Sequence, residues 1–259
     1  MKICVCIKQV PDSWSQKQLR QETFTLNRDA ADRVISDGDV FAIEEAVRKA
    51  EQFEGEVTVV TMGPSRAADS LRKAIALGAN HAALITDEAL AGSDALATSL
   101  VLANFLKSKN FDLVIFGAAS TDAGMGVIPS MVATRLNMPA LTMVVNLDID
   151  QGVARAKRVT DSGTDELSAP LPVVVSVTDK INTPRLPNFK AIMASKKVDI
   201  EEISLAQLGI NFDLGTASNY STKVDAQQTR PARESGRIIT DTSLAAQAVE
   251  DYLVAEKFI

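Results

Sequence analysis

FDLVIFGAASTDAGMGVIPSMVATRL, residues Phe111–Leu136, holds a buried strand, a loop and a helix start in one run. Leu113–Phe116 is a short apolar stretch between Asp112 and Gly117, as a strand covered on both faces requires. Ala118, Ala119, Ser120, Thr121, Asp122, Ala123, Gly124, Met125 and Gly126 follow as a loop of mostly small side chains. Val127, Ile128 and Pro129 then lead into the helix. Such a loop lets backbone N–H groups approach a phosphate, and the helix N-terminus adds a favourable dipole. The pattern is neither GxGxxG nor the lysine-bearing phosphate loop, so a bare strand-to-helix turn accounts for it equally well.

Upstream, strands and helices alternate. Lys2–Lys8, Glu56–Met62 and Ala82–Thr86 read as strands, and Val40–Phe53 and Ser93–Lys109 as helices. Ile43, Ala46, Val47 and Ala50 form one apolar face of the first helix, which Asp37 or Asp39 can cap. Glu44 and Glu45 splay apart on it and read as a solvated face. Another helix starts at the N-cap Ser65, with Leu71, Ala74, Ile75 and the stop Gly78 at helical spacing. This order predicts an α/β fold, a parallel-rich sheet with flanking helices. Ligands of such sheets lie beyond the strands' C-terminal ends. Three loops converge there: the segment after Cys6, the Met62-Gly63 turn and the loop from Gly117. Leu141–Ile149, Val153–Thr160 and Val173–Thr178 add antiparallel strands and one more core strand.

The chain's 259 residues suit one large domain, or one domain with an extension. A net charge of −6 removes the electrostatic case for nucleic acid. No apolar run approaches the roughly 18 residues of a membrane span, so no direct membrane insertion is expected. MKICVCIKQV lacks a secretory cleavage pattern, which makes the cytoplasm the expected compartment. Cys4 and Cys6 share one face of a strand and read as buried small residues rather than a disulfide or metal set. His81 has no ligand-spaced companion, so histidine-based catalysis and a metal site are not expected.

Ser13–Gly38 reads as a long loop or small hairpin in which Trp14, the chain's single tryptophan, is a loop anchor against the core. Asp179–Lys197 carries an apolar set, Phe189, Ile192 and Met193, beside Lys196 and Lys197. It reads as a partner-binding loop or as a surface helix packed on its own domain. Residues 198–259 show no independent core and read as an arm that packs on another subunit.

With these residues in place, the chain resembles the β subunits of electron transfer flavoproteins, heterodimeric carriers that hold FAD. The signatures are VCIKQVPD (Val5–Asp12), AIEEAVRKAE (Ala42–Glu51), GPSRAADSLRKAIALGAN (Gly63–Asn80), DLVIFGAASTD (Asp112–Asp122), LPVVVSV (Leu171–Val177) and NTPRLPNFKAIMASKK (Asn182–Lys197). The resemblance implies an adenine nucleotide alpha hydrolase-like fold over 1–197, with 198–259 as an arm on the α subunit. It implies AMP bound by Cys6, the segment Ser36, Asp37, Gly38 and Asp39, Met62 and the loop Ala118–Pro129. The working FAD would lie mainly in the α subunit, with no catalytic residue of this chain's own.

Electrons would come from flavoprotein dehydrogenases, such as acyl-CoA dehydrogenases, and go to a membrane quinone oxidoreductase. The implied dehydrogenase anchor is Phe189, within the segment 184–197 and beside Lys196 and Lys197. Departures from the family pattern matter. Gly38 stands where some members carry a phenylalanine near the flavin, and the aromatic position after the first strand is Ser13, with Trp14 adjacent. Val127-Ile128-Pro129 replaces Gln-Thr-Gly, removing two side-chain contacts to phosphate. Electron-bifurcating members hold a second FAD in this pocket, and AMP is the preferred expectation of the two. An adenylating enzyme would need a Ser-Gly-Gly loop where Lys8-Gln9-Val10-Pro11 stands.

Overall fold

The computed structural model describes residues 1–211, 224–228, 231–233, 236, 238–240 and 243–259. Lys2–Cys6 forms β1, Gln9–Pro11 β2 and Arg33–Ile35 β3, followed by helix α1 over Asp37–Gln52. Next come β4 (Glu56–Met62), α2 (Ala68–Ala76), β5 (His81–Ile85), α3 (Ala95–Lys109), β6 (Leu113–Gly117) and α4 (Ile128–Leu136). β7 (Ala140–Asp150), β8 (Val153–Thr160), β9 (Gly163–Pro170) and β10 (Val173–Val177) precede α5 (Phe189–Ser195), β11 (Ile200–Ile203) and α6 (Ala245–Ala255).

The strands form one nine-stranded sheet, ordered β11-β5-β4-β1-β6-β10-β7-β8-β9. It is parallel from β11 to β7 and antiparallel through β8 and β9. The expected α/β architecture is therefore the observed one. β6 and β10 are buried throughout, which explains their unbroken apolar sequences. Alternation sorts the central residues: Ile3 and Val5 join the core on the α1 side, Cys4 and Cys6 the core with Phe105 and Val132.

Two local expectations are corrected. The N-cap of α1 is Ser36, without a side-chain cap bond, so Asp37 and Asp39 lie inside the first turn, where they complement the dipole. Ser65 starts a tight 3₁₀ turn and α2 begins at Ala68, because Pro64 sets an extended approach. β11 pairs with β5, and the first compact unit runs Met1–Asp225.

β7 changes course at Met143, whose φ of 59° lies in the left-handed region and whose N–H donates to Ser176 Oγ at 3.0 Å. Beyond it, Leu147, Ile149, Ala154, Ala156 and Ala169 join the α1-side core. Ala226–Ile259 forms a second unit, in which α6 buries none of its residues. No described helix is long and apolar enough to cross a membrane.

Candidate functional site

β1 lies between β4 and β6, so successive crossovers leave it in opposite directions and open a crevice at its C-terminal end. Asp39 closes the base of that crevice. Its Oδ2 accepts the Lys8 N–H at 2.7 Å and its Oδ1 the Gly117 N–H at 3.3 Å, tying α1 to the ends of β1 and β6. Ser36, fully buried, accepts the Thr121 N–H on its Oγ at 3.3 Å and donates its own N–H to the Lys8 carbonyl at 2.9 Å. These contacts bring the Ser36–Asp39 segment against the loop after β6.

The loop carries a charged cluster that no spacing rule revealed. Lys8 Nζ donates to Asp122 Oδ1 at 2.8 Å and to Ser120 Oγ at 3.4 Å. Arg28 Nη2 donates to Asp122 Oδ2 at 2.6 Å. Two cations thus meet one buried carboxylate, leaving local positive charge. The available signal was a lysine directly after a buried strand, facing a loop with a single acid. Arg28 comes from the β2–β3 connection, where Leu19 and Leu26 also pair, so Ser13–Gly38 holds the expected small hairpin.

Beside the cluster, α4 starts without a side-chain cap: its N-cap is Val127, and Pro129 occupies the first turn. Pro129 is pre-set for that turn, while the remaining first-turn N–H groups keep their donor capacity. Gly124 and Gly126 have φ of 66° and 64°, which their lack of a Cβ permits. An uncapped helix N-terminus with two nearby cations has the chemistry to bind a phosphate.

The remaining expected residues are placed as follows. Gly38 packs on Gly117 and the Ala119 carbonyl. Cys6 is buried and Met62 half-buried against the same core, so their side chains are apolar walls. Asp37, Thr121 and Ala123–Gly126 are exposed, whereas Ala118–Ser120 and Ile128 are half-buried. The Ser36 and Asp39 side chains serve protein contacts. Ser13 is exposed, and the Trp14 ring is 95% exposed, so the reading of Trp14 as a core anchor is overturned. Its backbone N–H donates to Asp12 Oδ1 at 2.9 Å.

Burial is the main reason that the Asp39 carboxyl is pushed up to about 7, against the Lys8 and Gly117 N–H groups that favour its ionised form. Asp122 goes the other way. Burial disfavours its charge, but Lys8, Arg28 and Ser120 outweigh burial and hold the carboxyl at about 2. Asp39 therefore supports the fold fully below about pH 4 and loses that contribution as pH rises toward 7. Asp122 supports it above about pH 4 and loses it as pH falls toward 2. Urea unfolding between about pH 4.5 and 7 is expected to show Asp39→Asn gaining on the parent as pH rises, by at most about 1.4 kcal/mol per pH unit. A constant difference would mean that Asp39 does not titrate in this range.

A second surface lies on α5. Phe189 is 77% and Leu186 91% exposed, and Ile192 and Met193 are exposed beside them. Lys196 and Lys197 follow, also exposed. Leu186 had no periodic signal, standing alone between Arg185 and Pro187. The segment's base is fixed on α1, where Glu44 and Glu45 are buried instead of solvated. Arg185 donates from Nε to Glu44 at 2.8 Å and from Nη1 to Glu51 at 2.7 Å, and Asn182 Nδ2 donates to Glu45 at 3.2 Å. Glu44 is compensated by a cation 141 residues away, which local spacing cannot show, whereas Glu45 also has Arg48 and Lys49 within 3.6 Å on its own helix.

A groove of about 410 Å³ opens at the other end of the strands, lined by Lys2, Glu56, His81, Lys109 and Glu201 among others. Within it Lys109 pairs with Glu201, and His81 Nε2 lies 3.4 Å from Glu56.

The model of the electron transfer flavoprotein domain matches residues 23–208, which include Arg28, the loop after β6, α5 and β11. The chain belongs to the electron transfer flavoprotein family. It is 41% identical over 263 residues to the electron transfer flavoprotein subunit beta of Mycobacterium leprae (strain TN), with 99% of each chain covered. The corresponding subunit of Mycobacterium tuberculosis (strain ATCC 25618 / H37Rv) is 40% identical over the same length and coverage. The caffeyl-CoA reductase-Etf complex subunit CarD of Acetobacterium woodii is 32% identical over 246 residues, 94% of each chain. Among electron transfer flavoproteins the chain stands with the β subunits, which makes it an electron-carrier subunit with an α subunit as partner.

Proposed function

We propose that this β subunit binds AMP in the crevice and completes the FAD site of its α subunit. It accepts electrons from flavoprotein dehydrogenases, such as acyl-CoA dehydrogenases, in the cytoplasm. They pass on towards the quinone pool through a membrane oxidoreductase. The observation that carries the nucleotide assignment is the uncapped start of α4 beside Lys8 and Arg28. Backbone N–H groups of Ala118–Pro129 and the α4 dipole would hold the phosphate, with Cys6 and Met62 walling the base. The FAD supplies the redox chemistry when bound; this chain contributes binding and surroundings, and no acid–base or covalent step of its own.

Exposed Trp14 supports a ring contact to the flavin at the position where Gly38 lacks one. The outward apolar set on α5 supports dehydrogenase docking. Leu244, Val249, Tyr252, Val254 and Phe258, all exposed around α6, support an arm that the α subunit covers. The Acetobacterium relative favours a second reading, in which the crevice takes the adenosine end of another FAD in a bifurcating complex.

Co-expression with the neighbouring α-type subunit, followed by extraction, separates the two. One FAD and one AMP per heterodimer is the expected result, and two FAD without AMP would defeat the first reading. In the same preparation Trp14→Ala is expected to change the flavin spectrum. An unchanged spectrum removes Trp14 from the flavin's surroundings.

A further inference from the structure

Helix α5 faces the wrong way for an ordinary surface helix. Its apolar side chains, Phe189, Ile192 and Met193, are exposed, whereas such side chains normally hold a helix to its core. Seven residues are also too few for a helix to persist alone in water. It rests against α2, and polar contacts fix both of its ends. Asn188 Oδ1 caps its start, accepting the Ala191 N–H at 2.8 Å.

Before the cap, Arg185 forks onto two carboxylates. Nε and Nη2 reach Glu44 at 2.8 and 3.2 Å, while Nη1 and Nη2 reach Glu51 at 2.7 and 3.1 Å. The Arg185 backbone N–H adds a further bond to Glu44 at 3.1 Å. After the helix, Nη1 of Arg72, on α2, donates to the carbonyls of Ser195, Lys196 and Val198 at 3.2, 3.1 and 3.2 Å. A helix C-terminus leaves such carbonyls without intrahelical partners, and a cation there also complements the dipole. The segment is thus tethered at both ends by one arginine each, with Phe189, Ile192 and Met193 presented to solvent.

We infer that Arg72 and Arg185 are positioning residues that hold segment 186–197 in its partner-ready conformation before a dehydrogenase arrives. The inference rests on the docking role proposed above for this segment. Losing either tether lets the segment sample other conformations, and apparent affinity falls by the fraction that remains competent.

The test uses the co-expressed heterodimer as electron acceptor for an acyl-CoA dehydrogenase. Arg72→Ala is expected to raise KM for the heterodimer about tenfold, as when the competent fraction falls to about a tenth. kcat, FAD content and the flavin spectrum stay unchanged. Amide hydrogen exchange over 186–198 speeds up in the same variant, a readout that does not depend on turnover. Arg72→Lys restores both, because an ammonium still donates to carbonyls. Arg185→Lys does not, because one ammonium cannot grip two carboxylates bidentately.

Arg185→Ala also strips buried Glu44 of its cation, so Arg72, clear of any carboxylate pairing, is the deciding position. Parental KM and exchange in Arg72→Ala would overturn the inference. Phe189→Ala distinguishes the causes of failure. If its KM rises while Arg72→Ala behaves as the parent, docking stands and positioning fails; if its KM is also unchanged, both are wrong.

Discussion

Gly117→Ala is expected to empty the nucleotide crevice and to destabilise the fold by about 1–3 kcal/mol, the usual range for overpacking a filled site. A Cβ at this position would lie 2.6 Å from Asp39 Oδ1, 2.7 Å from the Gly38 carbonyl carbon and 2.9 Å from the Asp39 nitrogen. Two of these obstacles are backbone atoms of the first turn of α1, which cannot rotate aside as a flexible side chain would. The helix must move away from β6, and the Asp39 bonds to Lys8 and Gly117 lengthen with it. The measurements are urea unfolding and AMP retained by the heterodimer through gel filtration. A parental unfolding midpoint with full nucleotide would show that the close approach of α1 to β6 is not needed.

The second large effect concerns docking. Phe189→Ala is expected to raise the KM for the heterodimer with an acyl-CoA dehydrogenase by about 30- to 150-fold, equivalent to about 2–3 kcal/mol for a buried aromatic anchor. The ring is already 77% exposed in the isolated chain, so thermal stability should stay within about 0.5 kcal/mol of the parent. That combination separates an anchor from a core residue, whose truncation would cost stability first. Leu186→Ala should share the pattern, since the two side chains belong to one exposed set. A KM within twofold of the parent for Phe189→Ala would exclude this ring as the anchor.

The central strands were legible because both faces are covered: LVIF in β6 and VVVSV in β10 show no polar alternation. α1 was legible from one apolar stripe. β11 was not, since IEEI on a sheet edge holds just two apolar residues and its pairing with β5 is set by tertiary contact. Glu44 looked solvated because a buried acid is betrayed by its partner, and Arg185 lies far along the chain; Glu45 has Arg48 and Lys49 at helical spacing, a pattern that a solvated face shows equally.

At the site, small residues after β6 announced a loop, and the resemblance gave it a ligand. The Lys8–Asp122–Arg28 cluster needed three separate segments brought together. The outward face of α5 could be suspected from Phe189, Ile192 and Met193. The arginines that tether it could not.

Helix α1 carries Asp39 at the crevice and Glu44, Glu45 and Glu51 beneath the docking segment. Asp39 and Glu44 stand only about 7.5 Å apart along its axis, at about 1.5 Å of rise per residue. One residue inserted between Val40 and Ile43 would turn everything downstream by about 100°. The three glutamates would then swing off Arg185 and Asn182 while Asp39 kept its grip on Lys8 and Gly117. A single helical phase therefore indexes the two surfaces to each other, so substitutions along this rod can be absorbed singly, but a change in its length cannot.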